Sequence, residues 1–202
     1  MSALTARVAT RDKILETAMK LFAEKGFNGT TTKEIADKAG VNQALIFRHF
    51  STKRDLYGAI IEKQIEKEPG IDQALVTYKH TRDDLLIFKS IAARMFEKCG
   101  SDPEFIRLLH FSALEGHDLS DMFFDNYVEY INMLVSEYIE ERISEGSFRK
   151  VDPLLAAKAF IGMVINYIIV QELFGEKKKK IAKREEVVEV FVKIFLNGIK
   201  KT

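Results

Sequence analysis

Residues 31–50 read TTKEIADKAGVNQALIFRHF, and this stretch decides the fold. It divides into two short helices around a tight turn. Thr31 can cap the first helix, with Glu34 three residues later reaching back in a capping box. Ile35, Ala36 and Ala39 give that helix one small apolar face. Gly40 supplies the left-handed residue that ends it. Val41 is the buried hinge of the turn, and Asn42 caps a second helix over residues 43–49. A helix, a glycine-containing turn and a second short helix make the helix-turn-helix of DNA-binding proteins.

On the N-terminal side, Ile14, Leu15, Ala18, Leu21 and Phe22 recur at helical spacing and predict a helix over residues 10–25, ended by Gly26. Phe27 is expected to tuck back into the core, with Asn28 and Gly29 in a turn. Residues 1–9 show no pattern and are expected to fray; Arg7 and Arg11 either reach a phosphate or are simply solvated. On the C-terminal side, Ser51 is the expected cap of a fourth helix running to about residue 68, with Leu56, Tyr57, Ile60, Ile61 and Ile65 as its stripe. Residues 1–57 thus form a helix-turn-helix head of three helices plus the start of a connecting fourth. A head of that size barely buries enough surface alone, so the fourth helix is expected to dock it on the rest. Pro69-Gly70 marks the boundary, and residues 71–202 form a helical body.

In the body, residues 71–80 are ambiguous, offering one helical turn or two. Thr81 with Asp84 predicts a capping box for a helix to about Cys99. Asp102-Pro103 starts the next helix, ending near Gly116. A long helix follows over about 120–145, closed by Gly146. Asp152-Pro153 opens a helix to Leu173, and the last helix covers 184–198. The Glu176–Lys180 charge run between them reads as a solvated linker. The fold class is all-α, with about nine helices. The longest apolar run, Ala159–Val170, falls short of the ~20 residues of a membrane span, so a buried helix and no membrane are expected. The last two helices are apolar around nearly the whole circumference. They are expected to pack on the body with one face and on a second copy with the other, giving a homodimer. Ala156, Ala159 and Gly162 permit close approach there.

With 47% hydrophobic and 30% charged residues, the 202-residue chain has the balance of a soluble globular protein. Cys99 is the single cysteine, which excludes a disulfide framework within the chain. The N-terminus lacks a secretory pattern, and both features suit a reducing cytoplasm. Residues 1–57 hold ten Lys/Arg against six acids, while the remainder holds 21 against 24. A basic quarter on a mildly acidic body is the electrostatic footprint of a DNA-reading head. No Ser-His-Asp grouping, phosphate-binding glycine loop or paired His-carboxylate set argues for an enzyme. His110 and His117 flank Glu115 and Asp118, but no His-x3-His or Cys pairing accompanies them, and no metal site is expected.

The stretch LFAEKGFNGTTTKEIADKAGVNQALIFRHFSTKRDLY, residues 21–57, resembles the TetR (tetracycline-repressor-like) transcriptional regulators. The matching features are Gly26-Phe27, Thr31-Thr32 with Ile35-Ala36, Ala39-Gly40-Val41, His49-Phe50, and Lys53 with Leu56. Residues 71–202 are similar only in being all-helical and in ending with two apolar helices. The resemblance implies a homodimer that binds a double-stranded DNA operator of approximate two-fold symmetry. It further implies a small-molecule effector in the body that changes the separation of the heads and releases DNA, with repression as the family default. No other cofactor is implied.

Within that resemblance, Thr31 and Thr32 start the second helix, where N–H groups and hydroxyls meet a phosphate; the plain alternative is that one is only a cap. Lys33 follows, toward backbone or base. The recognition helix offers Gln43, Ala44, Leu45, Phe47, Arg48 and His49, while Ile46 and Phe50 face the core. Gln43 can pair with adenine, and Ala44 or Leu45 can meet a thymine methyl. Phe47 stands where the family usually has Tyr, so it offers apolar contact only. Arg48 is a solvated residue, a phosphate contact or a base reader, and His49 is a phosphate donor at the groove edge. Lys53 joins them by charge and by its place at a helix start. For the effector, a largely apolar pocket is drawn from Phe88, Phe96, His110, Phe111, Phe124, Tyr127, Met163, Asn166 and Tyr167, against the plain reading of core packing. The alternative function is an architectural or constitutive DNA-binding regulator with a solid body and no ligand.

Overall fold

The computed structural model describes residues 3–66, 70–100, 102–116, 119–174 and 182–201. The expected linker at Glu176–Lys180 lies outside them, as do Pro69, His117 and Asp118. Ten helices occur among the described residues. They are α1 (Ala3–Lys25), α2 (Thr32–Ala39), α3 (Gln43–His49), α4 (Lys53–Glu66) and α5 (Ile71–Tyr78, followed by a 3-10 turn, Lys79–Thr81). Next come α6 (Asp84–Gly100) and α7 (Pro103–Leu114). α8 begins at Asp121–Phe123, widens into a π segment at Phe124–Val128 and continues as Glu129–Ser144. α9 (Pro153–Leu173) and α10 (Arg184–Ile199) complete the chain. An isolated antiparallel bridge, Phe148 to Lys200, is the β-structure among the described residues.

Several ends differ from expectation. α1 begins at Ala3, not near Thr10, because residues 3–9 are rich in good helix formers and hold no breaker. The α4 cap is Thr52, not Ser51: Asp55 N donates to Thr52 Oγ1 at 3.0 Å and Thr52 N donates to Asp55 Oδ2 at 3.0 Å. The α6 cap is Asp83, whose Oδ1 accepts from Leu86 N at 3.0 Å. Thr81 instead closes the 3-10 turn, donating to Tyr78 O at 2.7 Å. The ambiguous residues 71–80 become α5 and that turn, which is the helix the sequence count missed. The π segment FDNYV carries neither Gly nor Pro, so nothing in its residues announces it.

The chain forms two compact units, Met1–Lys67 with Glu104–Phe124, and Glu68–Pro103 with Asp125–Thr202. The expected split at Pro69-Gly70 therefore does not describe how residues 104–124 pack. In the first unit, Ile14, Leu15, Ala18, Leu21 and Phe22 of α1 meet Ile35, Ala39, Ile46 and Phe50. Leu56, Tyr57, Ile60 and Ile61 of α4 lie in the same core, together with Phe105, Leu108 and Leu119. The head thus gains the apolar surface it lacks by itself from α7, beyond what α4 supplies.

The second unit centres on Phe88, which is fully buried. Its ring lies 4.9 Å from Phe160, 4.9 Å from Phe195 and 6.0 Å from Tyr138, joining α6, α8, α9 and α10. Beside it sits a buried carboxylate, Asp84. Tyr138 donates its hydroxyl to Asp84 at 2.7 Å, Arg142 Nε donates at 2.8 Å and Lys200 lies at 3.4 Å. Burial alone would raise the Asp84 pKa, but the hydrogen bonds from Arg142 and Tyr138 and the charges of Arg142 and Lys200 hold it below the usual carboxylate value. α9 has the length and apolarity of a membrane-spanning helix, yet it buries one stripe, Ala157, Phe160, Val164 and Ile168, against its neighbours. Within the single chain only 22% of its most apolar window is buried. Leu155 on its outer face is exposed, as are Val190 and Ile194 on α10.

Candidate nucleic-acid interface

α2 and α3 are fixed by their ends. Thr31 is extended, and its Oγ1 accepts from Glu34 N at 3.1 Å. The Glu34 carboxylate takes Lys25, so the capping box is realised through its Thr half. Gly40 adopts φ 65°, and the following Val41 N donates to Ala36 O at 3.0 Å. Asn42 Oδ1 then accepts from Leu45 N at 2.8 Å and starts α3. Ile46 and Phe50 are buried, so helical geometry turns Gln43, Ala44, Phe47 and Arg48 outward, with Leu45 and His49 half-buried at the sides. Phe47 is 49% exposed, a large apolar ring left in water.

Two predicted contacts are tied to each other. Gln43 Nε2 donates to Thr32 Oγ1 at 2.8 Å, linking the first turns of α2 and α3. Gln43 keeps its carbonyl oxygen and a second N–H for a base edge. Thr31 accepts at its oxygen and keeps its hydroxyl hydrogen to donate outward; Lys33 is exposed beside it. Lys53 differs from expectation. Its Nζ donates to Phe27 O at 2.7 Å and to Thr30 O at 2.9 Å, and sits 4.1 Å from the Phe27 ring centroid. Burial lowers its pKa, against the opposing charge of Glu115. Lys53 therefore braces the turn that leads into α2.

Sequence reasoning missed two members of that brace. Thr30 is fully buried, with its Oγ1 2.9 Å from Gly26 O. Glu115, after α7, accepts from Phe27 N at 3.0 Å. It also crowds Gly26, whose φ of +74° and lack of a Cβ make room for the carboxylate. The TTT run and Gly26 were visible locally; the partner 88 residues away had no local signal.

The expected effector residues do not assemble as a set. Phe96 and Tyr167 do, with ring centroids 6.0 Å apart, on the wall of a cavity of about 800 Å³ that Gln171 and Arg184 also line. The Arg184 guanidinium lies 5.6 Å from the Phe96 ring. Phe88 belongs to the aromatic core and is not on this wall. Met163 lines a shallower groove of about 380 Å³ on the outer face of α9 and α10, with Leu155 and Ile194. Asn166 is exposed, and Tyr127 is half-buried in the π segment. His110, Phe111 and Phe124 belong to the first compact unit; His110 Nδ1 lies 2.8 Å from Ile106 O, bonded within its own helix. These corrections share a cause: composition counts aromatic side chains but cannot say which of them faces a void.

A short helix presented outward by a three-residue turn, with its apolar side on a preceding helix, defines a helix-turn-helix protein. Residues 14–60 match the bacterial regulatory proteins of the tetR family, and residues 90–198 match the C-terminal domain of AefR-like transcriptional repressors. The chain belongs to the tetR family of transcriptional regulators. YvkB of Bacillus subtilis, an uncharacterized HTH-type transcriptional regulator, is 26% identical over 94% of this chain and 97% of its own length. Among solved structures, NalD, the secondary repressor of the MexAB-OprM multidrug efflux pump in Pseudomonas aeruginosa, shares the fold. Its TM-score is 0.72, with 17% identity over 96% of this chain and 98% of that one. AibR, solved in complex with isovaleryl coenzyme A and operator DNA, superposes with a TM-score of 0.63 and 22% identity over 92% of this chain and 97% of that one.

Proposed function

We propose that this regulator is a cytoplasmic repressor that binds a palindromic operator as a homodimer and is released by a small, largely apolar effector. The observation that carries the DNA reading is the outward set Gln43, Ala44, Phe47 and Arg48, held by the Thr31 and Asn42 caps and by the Thr32–Gln43 bond. Two such helices in a dimer read half-sites about one helical turn, ~34–36 Å, or more apart. Homodimerisation is supported by the exposed apolar face of α9 and α10, where Ala156, Ala159 and Gly198 border the groove. Effector control is supported by the cavity at Phe96 and Tyr167, whose size falls in the range of small-molecule sites and whose Arg184 and Gln171 supply polar anchors. AibR, which carries both an acyl-coenzyme A and operator DNA, is the neighbour that makes the combined reading concrete.

The test begins with an operator selected from random duplexes by the purified protein. Gln43→Ala is expected to lower affinity for it by roughly 1–3 kcal/mol while leaving binding to scrambled DNA unchanged. Equal affinities of the variant and the wild-type chain for the operator would remove Gln43 from base reading. A thermal-shift screen against apolar acids and aromatic amphiphiles then separates the sensor from a constitutive regulator. A hit must lose its effect in Phe96→Ala, Tyr167→Ala protein.

A further inference from the structure

α7 ends on a group that the helix-turn-helix itself does not contain. Glu115 follows its last turn, where Gly116, at φ +68°, donates its N–H to Ala113 O at 3.2 Å and closes the helix. The half-buried Glu115 carboxylate is laid on bare backbone. It accepts from Phe27 N at 3.0 Å, and a Cβ on Gly26 would collide with it. The rest of the turn between α1 and α2 is held from within residues 21–57. Gly26 N donates to Phe22 O at 2.9 Å, Thr30 Oγ1 to Gly26 O at 2.9 Å, and Lys53 Nζ to Phe27 O and Thr30 O. The Phe27 ring stacks on Phe22 at 5.5 Å and meets Tyr57 edge-on at 5.9 Å. None of these groups takes the Phe27 N–H, whose acceptor is Glu115, 88 residues further on. The same bonds continue to the outward surface. Phe27 O and Thr30 O share one ammonium, Thr30 adjoins the α2 cap Thr31, and Thr32 Oγ1 accepts from Gln43 of α3. A shift of Phe27 therefore carries into the first turns of α2 and α3 unless a bond in this series breaks.

We propose that Glu115 is a positioning residue for operator binding: by fixing Phe27 from outside the helix-turn-helix, it sets the first turns of α2 and α3 for the duplex. It rests on the DNA-binding reading above. Glu115 acts through Phe27 and meets no part of the DNA. A carboxylate near a polyanion weakens binding through its charge, so the positional effect of Glu115 and its charge effect have opposite signs.

Fluorescence anisotropy of the full chain on its selected operator, at about 150 mM KCl and at a temperature where circular dichroism shows each variant fully folded, tests it. Glu115→Ala is expected to lower operator affinity roughly tenfold or more, the scale of one hydrogen bond to a charged group. Glu115→Gln keeps an oxygen to accept the Phe27 N–H and should recover most of that loss. Glu115→Asp keeps the charge but is one methylene shorter, and should fall with the Ala variant; it takes the place of Ala if that chain does not fold. Unchanged affinity in the folded Ala and Asp variants would reduce Glu115 to a contribution to stability and overturn the proposal. Tighter binding by the Ala and Gln variants alike would leave only a charge effect and also overturn it. So would a loss in Gln equal to that in Ala. Wild-type protein that selects no operator overturns the proposal together with the DNA reading, which keeps the two failures distinct.

Discussion

The exposed faces of α3 and of the α9–α10 pair handle charge in opposite ways. Around α3, Arg48, Arg7 and Arg11 have no carboxylate partner among the described residues, and Phe47 is the one large apolar group in view on the helix. On the outer part of α9 and α10, Lys158 pairs with Glu129 at 3.2 Å and Lys193 with Glu189 at 2.9 Å. What remains outward there is Leu155, Val190 and Ile194. A face with unpaired cations is suited to a polyanion that stays hydrated. A face whose charges are already paired, with aliphatic groups between them, is suited to another apolar surface. The two partners proposed above, DNA and a second copy, match that difference.

The largest effect should come from breaking the apolar face. Leu155→Glu with Ile194→Glu places two unpaired charges where a partner copy would desolvate them, at a cost of several kcal/mol. The dimer dissociation constant should rise by more than about a thousandfold, with a matching collapse of operator binding. Sedimentation velocity at micromolar concentration checks this. An unchanged oligomer would show that these residues do not hold the copies together, and the comparison would lose one side.

A smaller effect is expected behind that face. Asp84→Asn leaves the partly buried Arg142 without its main counter-charge and should destabilise the protein by about 3 kcal/mol, read from urea unfolding at neutral pH. The acid limb sharpens the assignment. The Asp84 pKa is depressed in the folded protein, so its stabilisation is complete above the unfolded value near 3.8 and is lost as pH falls through the lower folded value. The Asn variant should lack that part of the acid dependence. Parallel pH profiles for the two proteins would mean that Asp84 does not carry it.

The smallest effect probes the other face. Phe47→Tyr adds one hydroxyl to an exposed ring and should tighten operator and scrambled DNA alike, by up to about tenfold, through a phosphate hydrogen bond. Tightening confined to the operator would instead put the ring in the groove against a base.

The first unit was far more legible than the second, and the reason is the range of the interactions. Thr31, Gly40 and Asn42 set the ends of α2 and α3 through partners no more than five residues away, so their roles could be read from spacing. Legibility failed where neighbouring residues competed for a role. Thr52 displaced Ser51, and Asp83 displaced the Thr81–Asp84 pair, because Asp84 had a stronger destination inside the second unit. It failed again at Lys53, whose charge and position suggested phosphate while two backbone carbonyls had already engaged it.

The sequence by itself determined an all-helical chain, a helix-turn-helix at residues 31–50, the inward Ile46 and Phe50, and a terminal helix pair with apolar residues around most of its circumference. Each of these depends on helical periodicity or on a cap within one turn. Only the tertiary structure decided that residues 104–124 complete the core of the head, that Glu115 braces Phe27, and that Phe96 and Tyr167 border a cavity while Phe88 does not. It also decided that Arg11 lies over the Phe50 ring at the end of α3. Those facts join residues dozens of positions apart, and the free energy of a void, a buried carboxylate or a crowded set of cations depends on everything around it, which no local pattern records.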